Sequence, residues 1–290
     1  MAGGWGTDIG TDGGLLMVGQ WQSYDGPWEQ PEDLQHFSGY AKLHQQTGIG
    51  RVWASFSTYT ANWKPTEQIP ERAIGTSICA DRFCALDFSA TGQTSRQILA
   101  GGIDAARWKA NLYVQYYDWN MYSDPTYDFQ IRQWDRRFTY GFRVEGVLAD
   151  SSTLRWTLGS EGRYDDIPKV QVDHTLDREF VEYVTAHSVE QASIAAYSEV
   201  QWNVAQNVRL LGGLRVDQYH FEALATQPQF ESGTASDNQL SPKVGAAWTL
   251  TPQVELYGNW GRGFHSNDAR GVAATDPPVP GLVPGEGKEV

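Results

Sequence analysis

Short turns and long loops alternate along this chain. Tight polar turns fall at 47–50, 104–107, 150–153, 205–207 and 251–253. Between them lie long polar stretches at 23–35, 62–94, 123–131, 165–188, 223–239 and 267–287. A two-sided sheet in water has no reason to keep its short connections at one end and its long ones at the other. A transmembrane β-barrel does, with short periplasmic turns and long extracellular loops.

The segments between these connections alternate with period 2, the signature of strands. From Val208, the residues Leu210, Leu214 and Val216 share one face, while Arg209, Gly213, Arg215 and Asp217 share the other. From Ala192, the apolar face holds Ile194, Ala196, Val200 and Trp202, against Ser193, Tyr197, Glu199, Gln201 and Asn203. Phe138, Tyr140, Phe142 and Val144 oppose Arg137, Thr139, Arg143 and Glu145 in the same way. So do Trp108, Ala110, Leu112 and Val114 against Lys109, Asn111, Tyr113 and Gln115. Glycines interrupt these faces, as at Gly141 and Gly213, which suits a curved sheet.

Alternation alone does not say which face meets lipid, because a half-buried sheet in water shows it too. Tryptophan placement separates the two. Trp108, Trp156, Trp202 and Trp248 each sit near a different short turn, on the apolar phase of their strands. That predicts one outward ring at a single height, a membrane-interface girdle. Core tryptophans of a soluble β protein are the plainer alternative.

The bulk composition agrees. A net charge of −13 argues against nucleic acid as a partner, which requires a basic stripe. Mean hydropathy is −0.48, and no apolar run reaches the ~18 residues of a membrane helix. A barrel escapes both measures, since only alternate residues are apolar. Cys79 and Cys84 lie in the longest loop. A close pair in an exported protein predicts a disulfide; a zinc half-site would need a second pair or a histidine nearby. Residues 1–14 are glycine-rich and polar, without the basic and apolar segments of a signal peptide. Such a start belongs to a cytosolic protein or to a piece of a longer one. The last residues read as the opening of a further strand, so both ends are expected to be cut. The coarse count is about eleven strands, whereas single-chain bacterial barrels have even numbers.

The segment Ser241, Pro242, Lys243, then Gly245 and Trp248, leads through a short turn into Leu256, Tyr257, Gly261, Gly263 and Phe264. This hairpin resembles one that recurs in the barrel domain of TonB-dependent outer-membrane receptors. The continuation from His265 to Arg270 is similar, as is the preceding hairpin from Ile194 to Glu199 and from Leu211 to Asp217. The resemblance implies an all-β fold, about half of a 22-stranded transmembrane antiparallel barrel, with residues 1–290 as one partial barrel domain. It implies location in the bacterial outer membrane, contact with outer-membrane lipid, and import of a scarce small-molecule ligand by its outer loops. Siderophores, metal chelates, vitamins and saccharides are the candidate classes. It also implies coupling to TonB through a plug domain that this sequence does not contain. No enzymatic activity and no cofactor are implied.

Candidate ligand-binding residues are the loop aromatics Trp28, Trp63, Tyr122 and Tyr127, which could stack on a ligand or on neighbouring loops. His174 joins them. With Asp165, Asp166, Asp173 and Asp177 it could form a cation site, though the spacing matches no calcium loop and a solvated acidic loop is the simpler reading. No G-x-S-x-G elbow, phosphate loop or dinucleotide fingerprint appears. Two other classes stay open: a passive porin-like channel, and a soluble β-rich carbohydrate-active enzyme needing paired acids in a cleft.

Overall fold

A computed structural model describes residues 1–289. Thirteen strands are hydrogen-bonded in sequence order into one antiparallel sheet. They are β1 (Ala2–Ile9), β2 (Gly13–Tyr24), β3 (Leu34–Thr47), β4 (Gly50–Trp63), β5 (Thr91–Asp104), β6 (Trp108–Ser123) and β7 (Gln130–Asp150). β8 (Leu154–Leu176), β9 (Glu179–Ala205), β10 (Val208–Ala225), β11 (Gly233–Thr251), β12 (Val254–Ser266) and β13 (Leu282–Glu289) complete the wall. A short helix, α1 (Ala269–Ala273), lies between the last two. Among the described residues β1 and β13 are each paired on one side only, so the sheet is open.

The count is thirteen rather than about eleven. β1 and β13 are eight-residue strands rich in glycine and polar residues. They have no apolar period to read, and only their registers on β2 and β12 define them. The strands around 15–22 and 254–265 therefore lie one position inside the edges. A sixth short turn, at 10–12, joins β1 to β2, with Gly10 at φ 63°.

A second correction concerns 165–188, read from sequence as a loop. It is a tall hairpin in which β8 and β9 climb to a two-residue turn. Asp177 and Arg178 both have positive φ, 48° and 70°, as a type I′ hairpin turn requires. Neither is glycine, so the turn carried no usual signal. Register shifts after Ile167, Val172 and His174 also break the period.

The two faces differ as alternation demands. Outward positions are apolar and bare: Leu112 is 65% exposed, Ile194 53% and Val244 54%. In water so large an apolar surface would be a liability; against hydrocarbon it is the required one. The compact apolar core is small. Phe221, fully buried, packs with Ile167, Val189, Ala269, Val272 and Leu282. It forms where α1 and its flanking loop fold over the inner face of β9–β11. Asp237 anchors that loop by accepting the Leu282 N–H at 2.8 Å.

Candidate functional site

The inner wall is lined by ion pairs, many of them two residues apart on one strand. Arg143 pairs with Glu145 at 3.1 Å, Arg163 with Asp165 at 2.7 Å and Arg215 with Asp217 at 2.7 Å. Others cross strands: Lys109 to Glu145 at 3.0 Å, Arg215 to Glu161 at 2.6 Å, and Lys243 to Glu199. Residues i and i+2 share a face in a strand, so each inward phase supplies both members of a pair. Of these side chains Arg143, Glu145, Glu199, Arg215 and Lys243 line a cavity of about 490 Å³ that also touches Arg155, Ser241 and Arg262. Thr139, which is buried, donates its hydroxyl to Asp165 at 2.6 Å.

Tyr197 is the hub of the cavity. Its hydroxyl donates to Glu145 at 2.8 Å and accepts from Arg143 Nε at 3.0 Å. Its ring lies across Gly159, its register partner on β8, where any Cβ would overlap the ring. Gly141 makes the same room for Tyr113. These glycines are aromatic seats, a relation that only the register reveals. Gly159→Leu should lift the ring, break both hydroxyl bonds and cost about 1–3 kcal/mol. Urea titration in detergent checks this against Gly212→Leu, whose new Cβ meets no atom within 4 Å. Equal midpoints for the two variants would contradict it.

Above the wall, the loops form a joined cap. Cys79 and Cys84 are linked by a disulfide, with Cα atoms 5.5 Å apart. Their loop holds the first one through Glu29 N–H to Phe83 at 2.8 Å, Ala85 N–H to the Glu29 carboxylate at 3.0 Å, and a Lys64–Asp33 ion pair. Gln130 ties three segments. It donates to Asp87 at 2.9 Å and Ser89 at 2.5 Å, and accepts from Thr175 at 2.8 Å and Arg178 N–H at 2.9 Å. A buried glutamine at a strand start has no sequence signature, so this clamp was invisible before the fold.

The residues singled out from sequence scatter into three places. Trp28 donates to Glu32 at 2.7 Å, lies tilted against Phe83 with ring centroids 5.6 Å apart, and shares a small cleft with Tyr127, Glu67 and Asp87. Tyr127, at φ 59°, also lines a larger open cleft of about 870 Å³ with His174, Phe129 and Arg178. Trp63 lies apart at the top of β4, its ring over Gly92 on the inner face. Tyr122 points the other way. It shares the phase of Leu112 on the outer face, beneath the Arg132 guanidinium at 5.3 Å.

The acidic group around His174 disperses. His174 Nδ1 lies 2.8 Å from Glu182, and its ring lies tilted against Phe129 with centroids 4.4 Å apart. Asp173 accepts from Gln171, Asp165 turns to Arg163, and Asp177 sits in the hairpin turn. Among the described residues no group of three or more His, Cys, Asp or Glu side chains could hold a metal ion.

Three acids meet in the cap instead. Burial raises the Glu67 carboxyl, although it accepts the Asp124 N–H at 3.1 Å, and burial raises Asp124 as well. Tyr127, buried beside Glu67, Asp124 and Asp87, is pushed up to about 12 and its hydroxyl has no partner. Asp87 feels the same burial, yet hydrogen bonds from Ser89 and Gln130 bring it below the usual value. Raised acids favour the folded cap when protonated; that stability falls as pH rises through their folded values. Asp87 acts oppositely and loses its contribution as pH falls below the usual ~4. Protection of the 64–90 loop from proteases should therefore peak just above pH ~4 rather than at neutrality. Glu67→Gln should flatten the fall above pH ~4, and a peak at neutral pH would refute the assignment.

Trp108, Trp156, Trp202 and Trp248 are all exposed on the outer face. Register sets Leu154 opposite Trp202, Leu210 opposite Trp202, and Val208 opposite Trp248. Trp108 is level with Gly146 and, through it, Leu158, one outward position from Trp156. The four occupy adjacent rungs next to the short turns.

This architecture can be compared with known proteins. The family profile described as TonB dependent receptor-like, beta-barrel matches residues 4–287. Among curated proteins no sequence matches. Among solved structures, the unliganded ferric citrate transporter FecA is similar at TM-score 0.76 and 12% identity, over 90% of this chain and 40% of that one. The ferric yersiniabactin uptake receptor FyuA from Yersinia pestis is similar at TM-score 0.69 and 15% identity, over 91% and 44%. The copper transporter OprC follows at 0.65 and 15%, over 92% and 44%. This chain thus spans less than half the length of each, and at these identities the likeness shows the fold. These relatives are transporters and receptors, not enzymes. With the family profile covering nearly every residue, the chain belongs to the TonB-dependent receptor β-barrels of the bacterial outer membrane.

Proposed function

We propose that this chain is the wall and loop cap of a receptor that binds a scarce small-molecule nutrient and imports it with energy from the inner-membrane TonB complex. Residues 1–290 would form one partial barrel domain, with a plug packed against the inner wall. The carrying observation is the two-faced sheet: bare Leu, Ile and Val outside, a wall of paired charges inside. A lipid-exposed barrel with a polar lumen requires that division. We place the ligand between the cap and the upper lumen, where Trp28, Tyr127 and His174 border connected clefts and Trp63 faces inward. Tyr122, on the outer face, leaves the ligand set. The four tryptophans mark the periplasmic interface, where indole rings settle at headgroup level.

The relatives import or bind ferric citrate, ferric yersiniabactin and copper, which favours a metal chelate over a saccharide or vitamin. Deleting the full gene should abolish uptake of one radiolabelled chelate, and restoring it should recover uptake only in cells with functional TonB. Uptake that persists without TonB would replace this reading with a passive channel.

A further inference from the structure

Three cations sit on the outer face of β6–β8, where no lumenal ligand can reach them. Asp118, Asn120 and Tyr122 continue the outward phase of Trp108 and Leu112. Register sets Arg136 opposite Asp118 and Lys169, and Arg132 opposite Tyr122 and Asp173. All three cations gather on Trp134: Lys169 Nζ is 3.5 Å from the ring centroid, and the Arg132 and Arg136 guanidinium carbons are 4.2 and 5.6 Å away.

Their acids are too few. Arg136 pairs with Asp118 at 2.7 Å. Asp173 is buried and bonded to Gln171. The next outward acids, Asp166 and Glu190, face each other one step along, with Glu190 held by the Tyr164 hydroxyl. Arg132 Nε donates to the neutral Asn120 at 3.0 Å. Among the described residues neither Arg132 nor Lys169 has an ion-pair partner.

Height decides what they meet. Asp118, level with Arg136, is ten residues up β6 from Trp108. At ~3.4 Å per residue and a tilt near 40°, that is roughly 26 Å, the top of a barrel's ~25 Å apolar band. An upper aromatic belt of Tyr116, Phe138, Tyr140 and Tyr164 lies just below, with Tyr140 stacked on Tyr164. The cations therefore stand at the headgroup layer of the outer leaflet. Guanidinium and ammonium groups over an aromatic floor suit a phosphate.

We infer that Arg132, Arg136 and Lys169, set around Trp134, bind a phosphate of a phosphorylated glycolipid headgroup in the outer leaflet. The inference rests on the family's membrane placement and not on the imported nutrient, so failure of the uptake assay leaves it standing. The test uses the full-length receptor, delipidated in neutral detergent and titrated with diphosphorylated lipid A, dephosphorylated lipid A and inorganic phosphate. Diphosphorylated lipid A should bind the wild type, and R132Q/R136Q/K169Q should weaken it at least roughly tenfold, as several surface cations should. Should the triple variant fail to fold, K169Q alone breaks no ion pair and should lose roughly fivefold. The inward Arg155→Gln should bind as wild type does. Equal binding of the dephosphorylated lipid, unchanged affinity in the variants, or inorganic phosphate binding as tightly as the lipid would each overturn the inference.

Discussion

Replacing Leu112 with arginine is expected to cost the folded barrel about 2–4 kcal/mol, the penalty for a cation at mid-depth on a lipid-facing strand. Leu112 is among the most exposed apolar side chains of the wall, at 65%. In a soluble protein a substitution at so open a surface would stay within about 0.5 kcal/mol. The two readings therefore differ by more than the error of a denaturant titration in lipid or detergent. Asn111→Glu, one residue away, is the internal control. It points inward and would stand opposite Arg143 across the β6–β7 register. It should be neutral or slightly stabilising. A Leu112→Arg barrel as stable as wild type would remove the lipid from the outer face.

The second large effect lies at Arg215. Its guanidinium holds both Glu161, at 2.6 Å, and Asp217, at 2.7 Å, but the two acids are not alike. The Asp217 side chain is only 2% exposed, while that of Glu161 is 33% exposed and can turn to water. Arg215→Met should cost about 3–5 kcal/mol, because it strands a buried carboxylate. Adding Asp217→Asn should recover most of it, since a neutral amide at the same site carries no unpaired charge. A double-mutant cycle in urea reads the coupling. If Arg215→Met alone costs less than about 1 kcal/mol, water already screens the pair as at an open surface.

What could be read before the fold was known follows a physical line. Where one face meets hydrocarbon and the other water, the side-chain period is forced. The runs from Trp108, Phe138, Ala192 and Val208 therefore declared their strands. The five turns at 47–50, 104–107, 150–153, 205–207 and 251–253 were legible for the same reason: each interrupts a forced pattern. Where no lipid presses on the chain, the pattern lapses. The upper half of the β8–β9 hairpin has no hydrocarbon against it, so its alternation is mixed and its turn, Asp177 and Arg178, passed for loop. β1 was missed because its glycines and polar residues leave no apolar period, and of β13 only the last residues were read as the opening of a further strand. At the site, aromatic identity was visible but direction was not. Tyr122 and Trp63 are both loop-border aromatics, and register alone sends one outward and the other inward. Gln130 and Tyr197 act through partners distant in sequence, which a linear reading cannot supply.

The placement of the inner-wall charges has a mechanical consequence. Because Arg143–Glu145, Arg163–Asp165 and Arg215–Asp217 are each settled within a single strand, much of the wall's charge is balanced locally. A surface neutralised at a spacing of two residues presents a field that fades within a few ångströms. Anything moving along these pairs need not break them. Such a wall behaves as a low-friction bearing, gripping a neighbour by shape while letting it slide.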